Sequence, residues 1–169
     1  MAVLALLVAA SALASTPNLI LTENAEGTRW CAFDTVALAS ARADKDNALT
    51  VVNAWTAAGG IVDLKVVWGP QSYDWLVTDT YSLQGWTVVA VARDVGYASS
   101  DERLRQTYTR RAGRLELTGS NEVEQYHPKP APYTDLRKAP FYAVLTRALA
   151  QKDLPDAGLC ARPTRQVRR

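Results

Sequence analysis

Few residues in this chain have the types and spacing that catalysis needs. The 169 residues include one histidine and two cysteines. His127 lies directly before Pro128 in a proline-rich stretch, and no serine lies in a G-x-S-x-G nucleophile elbow. A single histidine and two cysteines also cannot form a multi-histidine or four-cysteine zinc site. The sequence therefore predicts no catalytic triad, no metal site and no cofactor.

Two aspartates are the remaining candidates for chemistry. A hairpin register read from the alternation of apolar residues places Asp79 on an apolar face and Asp94 opposite Trp75 on that same face. An ionised carboxylate there must find a partner, reach water or shift its pKa upward. The candidate ligand-binding residues are Trp75, Asp79, Tyr81 and Asp94. They could form the polar floor of a ligand cavity or an acid pair of glycosidase type.

The plainer explanation of the same aspartates is structural. A β-bulge could turn one of them outward, or Arg93 or Arg110 could pair with it. Either arrangement would satisfy the carboxylate without a ligand.

The two cysteines lie near opposite ends of the chain. Cys31 follows Trp30, and Cys160 is nine residues from the C-terminus. In an oxidising compartment an isolated pair most simply forms a disulfide, which would tie the C-terminal segment to the first strand. Two unpaired buried thiols are the alternative, and the absence of C-x-x-C spacing disfavours a redox function.

The first 14 residues, MAVLALLVAASALA, are apolar or small and carry no charge. This run is shorter than the roughly 20 residues that span a bilayer, and it ends in an A-x-A-like cleavage site. No basic residue precedes it, so either the true start lies upstream or the signal is atypical; a buried N-terminal helix is the alternative. We predict a signal peptide over residues 1–14, a single secreted or periplasmic domain over 15–161 and a basic tail over 162–169.

An alternation with period two dominates from about residue 31 to 120 and predicts an antiparallel meander. The predicted strands are 31–42, 48–57, 61–68, 73–83, 86–97, 103–111 and 114–118. The alanine-rich segment 34–47 could instead be helical. A loop over 68–73 would pair Val66 with Trp75, and a turn at Gln84 and Gly85 would pair Tyr81 with Val88. The middle strands are apolar at both parities, so we expect both of their faces to be covered.

A C-terminal helix is predicted to cover one face. Pro140 suits a first helical position, and an apolar stripe follows at helical spacing as far as about Lys152. The stripe consists of Phe141, Val144, Leu145, Ala148 and Leu149. The stretch 126–133 before it contains three prolines and is predicted to be an extended connector. The expected fold is α+β and mainly β, a meander of six to seven strands curved around a core with one C-terminal helix packed on the sheet.

Composition disfavours nucleic acid as a partner. The net charge is only +2, and the five tryptophans are spread along the predicted strands, as in strand packing, rather than clustered as a stacking surface. Basic charge concentrates instead at the C-terminus, in Arg162, Arg165, Arg168 and Arg169. This tail could make weak electrostatic contact with anionic envelope surfaces, or could simply be solvated.

These observations favour an exported envelope or extracellular protein of the binding or inhibitor type, without catalytic activity. Its partner would be a small molecule or an envelope protein. A small hydrolase using acidic residues, or a structural envelope component, are the alternatives. A cavity lined by Trp75, Asp79 and Tyr81 would favour ligand binding, whereas two close carboxyl groups open to solvent would favour hydrolysis.

Overall fold

The structure, a computed structural model, describes residues 17–57, 60–69, 74–97, 101, 103–121 and 132–163. Within these residues one antiparallel sheet of nine strands is the main element. The strands are β1 Leu19–Glu23, β2 Trp30–Phe33, β3 Thr50–Ala57, β4 Gly60–Trp68, β5 Trp75–Gln84, β6 Thr87–Tyr97, β7 Arg103–Arg111, β8 Arg114–Ser120 and β9 Leu159–Ala161. The helices are α1 Val36–Asp46 and α2 Tyr142–Leu149, with a short 3-10 turn at Leu136–Lys138. The mainly-β α+β class is confirmed.

The strand order is β8-β7-β6-β5-β4-β3-β1-β2-β9. Strands β3 to β8 form the predicted meander, and its last hairpin pairs Tyr108 with Leu117. Two further strands were not expected, because β1 lies in a continuous apolar run without alternation and β9 has only three residues. β1 lies between β3 and β2, and β9 extends the sheet beyond β2.

The prediction of a strand over 31–42 is wrong beyond its first residues, and the helical alternative for 34–47 is the better description. Thr35 caps α1 by accepting a hydrogen bond from the backbone N–H of Leu38, and the helix ends at Asn47 in the left-handed conformation. α1 packs through Ala39 on a small apolar cluster that includes Phe33. This cluster lies on the outer face of the sheet.

Helix α2 packs on the opposite face of the sheet, here called the inner face, which carries the main core. The predicted apolar stripe is largely confirmed, because Phe141, Val144, Leu145 and Ala148 are buried in the main core. The helix ends at Leu149, three residues before the predicted end. We also expected both faces of the middle strands to be covered. Leu76 on the outer face is 47% exposed, so the outer face is not covered at this position. Val91 and Val95 lie on the inner face of β6, although the predicted pairing of Tyr81 with Val88 implies the opposite face for them.

The predicted registers of the central hairpins are wrong, with different consequences. Val66 pairs with Asp79 instead of Trp75, an even shift of four residues that leaves every side chain on its predicted face. In the hairpin of β5 and β6 the turn is at Gly85 and Trp86, which shifts the predicted pairing by two residues. An irregularity at Ser82 and Leu83 shifts it by one more. The total shift of three is odd, so it exchanges the faces of β6 relative to β5.

The disulfide between Cys31 and Cys160 is confirmed, and it links directly opposed residues of β2 and β9. Just before β9, the backbone of Gly158 lies close against the Phe33 ring of β2. Only glycine fits there, because its φ is +80° and an added Cβ would lie 2.4 Å from that ring. Among the described residues no helix is long and apolar enough to cross a membrane. The predicted signal peptide, His127 and the tail residues Arg165, Arg168 and Arg169 lie outside the described residues.

Candidate functional site

A cavity of about 450 Å³ lies on the inner face of the sheet, within the size range of small-molecule sites. Six neighbouring strands line its floor and walls, and the segment that leads into α2 covers it. The lining residues are Glu23, Trp30, Thr50, Val66, Trp68, Asp79, Tyr81, Arg93, Tyr133 and Pro140. Aromatic rings therefore alternate with a small number of polar groups around one space.

The register of the sheet explains why apolar and charged groups meet here. One row of inward-facing residues crosses five strands, as Val52, Val66, Asp79, Arg93 and Gln106. The row changes from apolar to polar between β4 and β5, beside the cavity. Side chains in directly opposed positions lie close enough to interact, so Asp79 and Arg93 are natural partners.

Asp79 and Arg93 form a buried ion pair with two hydrogen bonds. Arg93 Nε donates to Asp79 Oδ1 at 2.6 Å, and Nη2 donates to Oδ2 at 2.8 Å. The two side chains are 3% and 2% exposed. The Arg93 guanidinium also lies 5.8 Å from the Trp68 ring centroid and 5.9 Å from that of Tyr108. Burial opposes the charge on Arg93, but the Asp79 carboxylate outweighs it and raises the pKa of Arg93.

Two tyrosines connect this pair to the covering segment. The Tyr81 hydroxyl donates to Asp79 Oδ2 at 3.4 Å and accepts from the backbone N–H of Tyr133 at 3.3 Å. The two rings stack with their centroids 6.3 Å apart, and Tyr133 packs edge-on against Phe141. Burial, followed by the Asp79 charge, raises the pKa of Tyr81. Burial and the charges of Glu23 and Asp79 raise the pKa of Tyr133 to about 12, so both phenols are protonated at neutral pH.

Glu23 supplies a second carboxyl group to the cavity. The Thr50 hydroxyl donates to Glu23 Oε2 at 2.7 Å, and the Trp30 indole N–H lies near the same carboxyl. Burial raises the pKa of Glu23, although Thr50 and Trp30 partly offset that rise. The Trp30 Nε1 atom is buried and makes no hydrogen bond of normal geometry with the described residues. In the part of the chain that the structure describes, no lysine or arginine forms an ion pair with Glu23.

Two of the four predicted site residues line this cavity, whereas Trp75 and Asp94 line a separate, shallower pocket. Asp79 and Tyr81 both line the cavity. Trp75 lies on the same face but outside the cavity, edge-on to Trp68 at 5.3 Å, so Trp68 occupies the wall position expected for Trp75.

Asp94 is not on the face that the sequence predicted. It lies on the outer face opposite Thr78, within 3.2 Å of Arg103 and 3.5 Å of Arg105. The odd register shift described above is the reason. The expected pair of Asp79 and Asp94 is therefore not formed, and the alternative in which Arg93 pairs with Asp79 describes the structure.

Sequence reasoning missed most of the remaining lining residues. Glu23 was missed because β1 was not recognised, and Trp30 because only its apolar character was read. Tyr133 is the last residue of the predicted proline-rich connector, where a strand pattern gives no guidance. Arg93 was considered only as a partner for an inward aspartate. A polar residue at the end of an apolar run, such as Glu23 after Leu19–Leu21, is the signal that could have revealed this site.

The site has limited chemical capacity. Both Asp79 oxygens accept hydrogen bonds from Arg93, which makes this carboxylate a poor nucleophile or base. The described residues contain no group of three or more histidine, cysteine, aspartate or glutamate side chains that could hold a metal ion. No family model, curated protein sequence or solved structure matches this chain. Function must therefore be inferred from the geometry of the cavity.

Proposed function

We propose that this chain is an exported protein that binds a small molecule in the cavity on the inner face of its sheet, without catalysing a reaction. The observation that carries the proposal is the cavity of about 450 Å³, with aromatic walls and a few convergent polar groups. Such a lining is typical of small-molecule sites. The Tyr81 contact with the Tyr133 backbone supports the same view, because it holds a cover over the space.

Binding is favoured over hydrolysis by the state of the carboxylates. Acid-pair hydrolysis needs two carboxyl groups that are free to act as acid and as base or nucleophile. Of the two carboxyl groups that line the cavity, Asp79 is held by Arg93, which leaves Glu23 without a free acidic partner there, and Asp94 lies on the opposite face. A purely structural envelope component is also less favoured, because a concave space of this size lined by charged and aromatic groups serves no packing purpose.

Export is supported by the predicted signal peptide and by the disulfide. Disulfides persist in oxidising compartments such as the periplasm and the extracellular medium, which are the locations we propose. Contact of the arginine tail with anionic envelope surfaces remains a prediction of the sequence.

A matched pair of variants on β4 tests the proposal. Val66→Phe places a larger side chain in the cavity, whereas Val67→Phe adds the same volume on the outer face one residue away. Both proteins and the unaltered chain are purified without denaturation from the host that encodes them. Native mass spectrometry and solvent extraction then report any bound compound and its stoichiometry.

We expect a compound near one equivalent in the unaltered protein and in Val67→Phe, and its loss in Val66→Phe. Near-UV circular dichroism shows that each variant is folded. Equal retention by folded Val66→Phe would contradict the assignment of the cavity as the site. Absence of any compound from the unaltered protein, with no binding of added small molecules, would overturn the proposed function.

A further inference from the structure

The charges in the cavity lining constrain the ligand that the proposed function calls for. Besides its two protonated tyrosines, the lining contains two acidic side chains and one basic side chain, Glu23, Asp79 and Arg93. Asp79 and Arg93 neutralise each other through two hydrogen bonds. When Glu23 is ionised, the lining therefore carries one negative charge that no described side chain balances. An anionic ligand would be repelled by this charge.

Three side chains of the lining donate hydrogen bonds to its two carboxylates. Thr50 donates to Glu23, Arg93 donates to Asp79, and Tyr81 donates to Asp79. The Glu23 carboxylate accepts from Thr50 through one oxygen and has further acceptor capacity for a ligand. At this carboxylate, a ligand group that donates hydrogen bonds or carries positive charge fits better than one that accepts hydrogen bonds.

Aromatic rings share the cavity with the Glu23 carboxyl group. Trp30, Trp68, Tyr81 and Tyr133 all line the same space as Glu23. Cations bind favourably against the faces of tryptophan and tyrosine, and rings combined with a carboxylate form the usual environment for an ammonium group. Arg93 already lies 5.8 Å from the Trp68 ring centroid, which shows that a cation is accommodated in this wall.

We propose that the cavity ligand is an organic ammonium ion, whose charge is held by the Glu23 carboxylate and the aromatic rings around it. This inference rests on the proposed function and specifies its ligand class. The apolar part of the ion would lie over Val66 and Pro140.

Three probes of one size test the ligand class. They are 2-phenylethylammonium, the neutral 2-phenylethanol and the anionic phenylacetate, titrated at pH 7.5 by calorimetry and by tryptophan fluorescence. We expect the ammonium probe to bind about tenfold more tightly than the alcohol, because cation–π attraction and charge pairing act only on the cation. Phenylacetate is expected to bind most weakly.

Variants of Glu23 assign the preference to its charge. Glu23→Gln should reduce the tenfold ratio to the smaller preference that cation–π attraction alone supplies, while the alcohol binds as before. Glu23→Asp should retain part of the preference that charge pairing supplies. Glu116→Gln on the exposed strand β8 removes the same charge away from the cavity and should leave the ratio unchanged. If Glu23→Gln does not fold, the probe series on the unaltered protein still decides the ligand class.

The outcomes separate this inference from the proposed function. If the alcohol or phenylacetate binds as tightly as the ammonium probe, and Val66→Phe abolishes binding, then the cavity binds ligands but the ammonium assignment is wrong. If Val66→Phe leaves ammonium binding intact, the site lies elsewhere and both proposals fail. If no probe binds, the ammonium assignment is overturned, and the extraction experiment decides the proposed function separately.

Discussion

Removing one partner of the buried ion pair should strongly destabilise the fold. Arg93→Met replaces the guanidinium with an apolar side chain of similar length and leaves the Asp79 carboxylate 3% exposed. Its remaining partner would be the Tyr81 hydroxyl at 3.4 Å, a long hydrogen bond. Breaking a buried pair in this way costs about 3–5 kcal/mol of unfolding free energy. That is a large share of the roughly 5–15 kcal/mol by which folded domains are stable.

The double variant Asp79→Val with Arg93→Met should be far less destabilised than Arg93→Met alone. It removes both charges together, and Val66 and Tyr81 already provide apolar neighbours for the new side chains. Replacement of a buried ion pair by packed apolar residues is often close to neutral. Asp94→Asn is the matched control, because Asp94 adjoins Arg93 but its pairs with Arg103 and Arg105 are largely solvated. Its cost should stay within about 0.5 kcal/mol.

Equilibrium unfolding in urea, followed by tryptophan fluorescence and far-UV circular dichroism, measures these differences through the transition midpoint and slope. The reasoning is refuted if Arg93→Met costs less than about 1 kcal/mol. It is also refuted if the double variant is destabilised by the sum of the two single changes, because independent residues would then behave additively.

Three further perturbations have defined outcomes. Replacement of both Cys31 and Cys160 by alanine should lower the free energy of unfolding in urea by up to about 4–5 kcal/mol, because the disulfide spans 129 residues. It should also remove hydrogen-exchange protection from Leu159–Ala161, and unchanged protection would contradict the role of the disulfide in holding this strand. Burial raises the pKa of Glu23 above its usual 4.5, so the folded state loses stability as pH rises through that raised pKa. Glu23→Gln should therefore gain stability relative to the unaltered chain as pH rises from 4 to 7. A stability difference that does not change with pH would argue against a buried carboxyl group. Phe141→Ala should cost about 3–5 kcal/mol in unfolding free energy, because Phe141 is fully buried against Trp30 and Tyr133, whereas Phe141→Leu should cost much less.

The meander was predictable because alternation is a local signal that survives errors in register. The shift at the β4–β5 hairpin was even, so Asp79 and Tyr81 kept their predicted face although their partners changed. The apolar stripe of α2 was predictable for a similar reason, since helical spacing specifies a buried face without specifying what covers it.

The composition of the site was not predictable, because it depends on features that leave little local pattern. The irregularity at Ser82 and Leu83 helps to bring Arg93 instead of Asp94 to the face of Asp79, and one extra residue in a strand leaves the alternation on either side intact. Glu23 reaches the cavity only because β1 inserts between β3 and β2, a pairing between segments distant in sequence. Helix α1 was ambiguous because alanine-rich segments fit a helix or a covered strand.

The position of the Asp79–Arg93 pair is itself an argument for function. A buried ion pair adds little net stability compared with apolar residues, so packing alone gives no reason for charges on a face that otherwise buries valine, leucine and phenylalanine. The pair borders the cavity, and through the Tyr81 hydroxyl it reaches the backbone of Tyr133 in the covering segment. It therefore keeps one wall polar and electrically neutral, which leaves the charge of Glu23 as the electrostatic signal that a ligand meets. The double apolar variant separates these roles, because a protein that retains its stability but loses selectivity for ammonium over alcohol would show that the pair shapes the site.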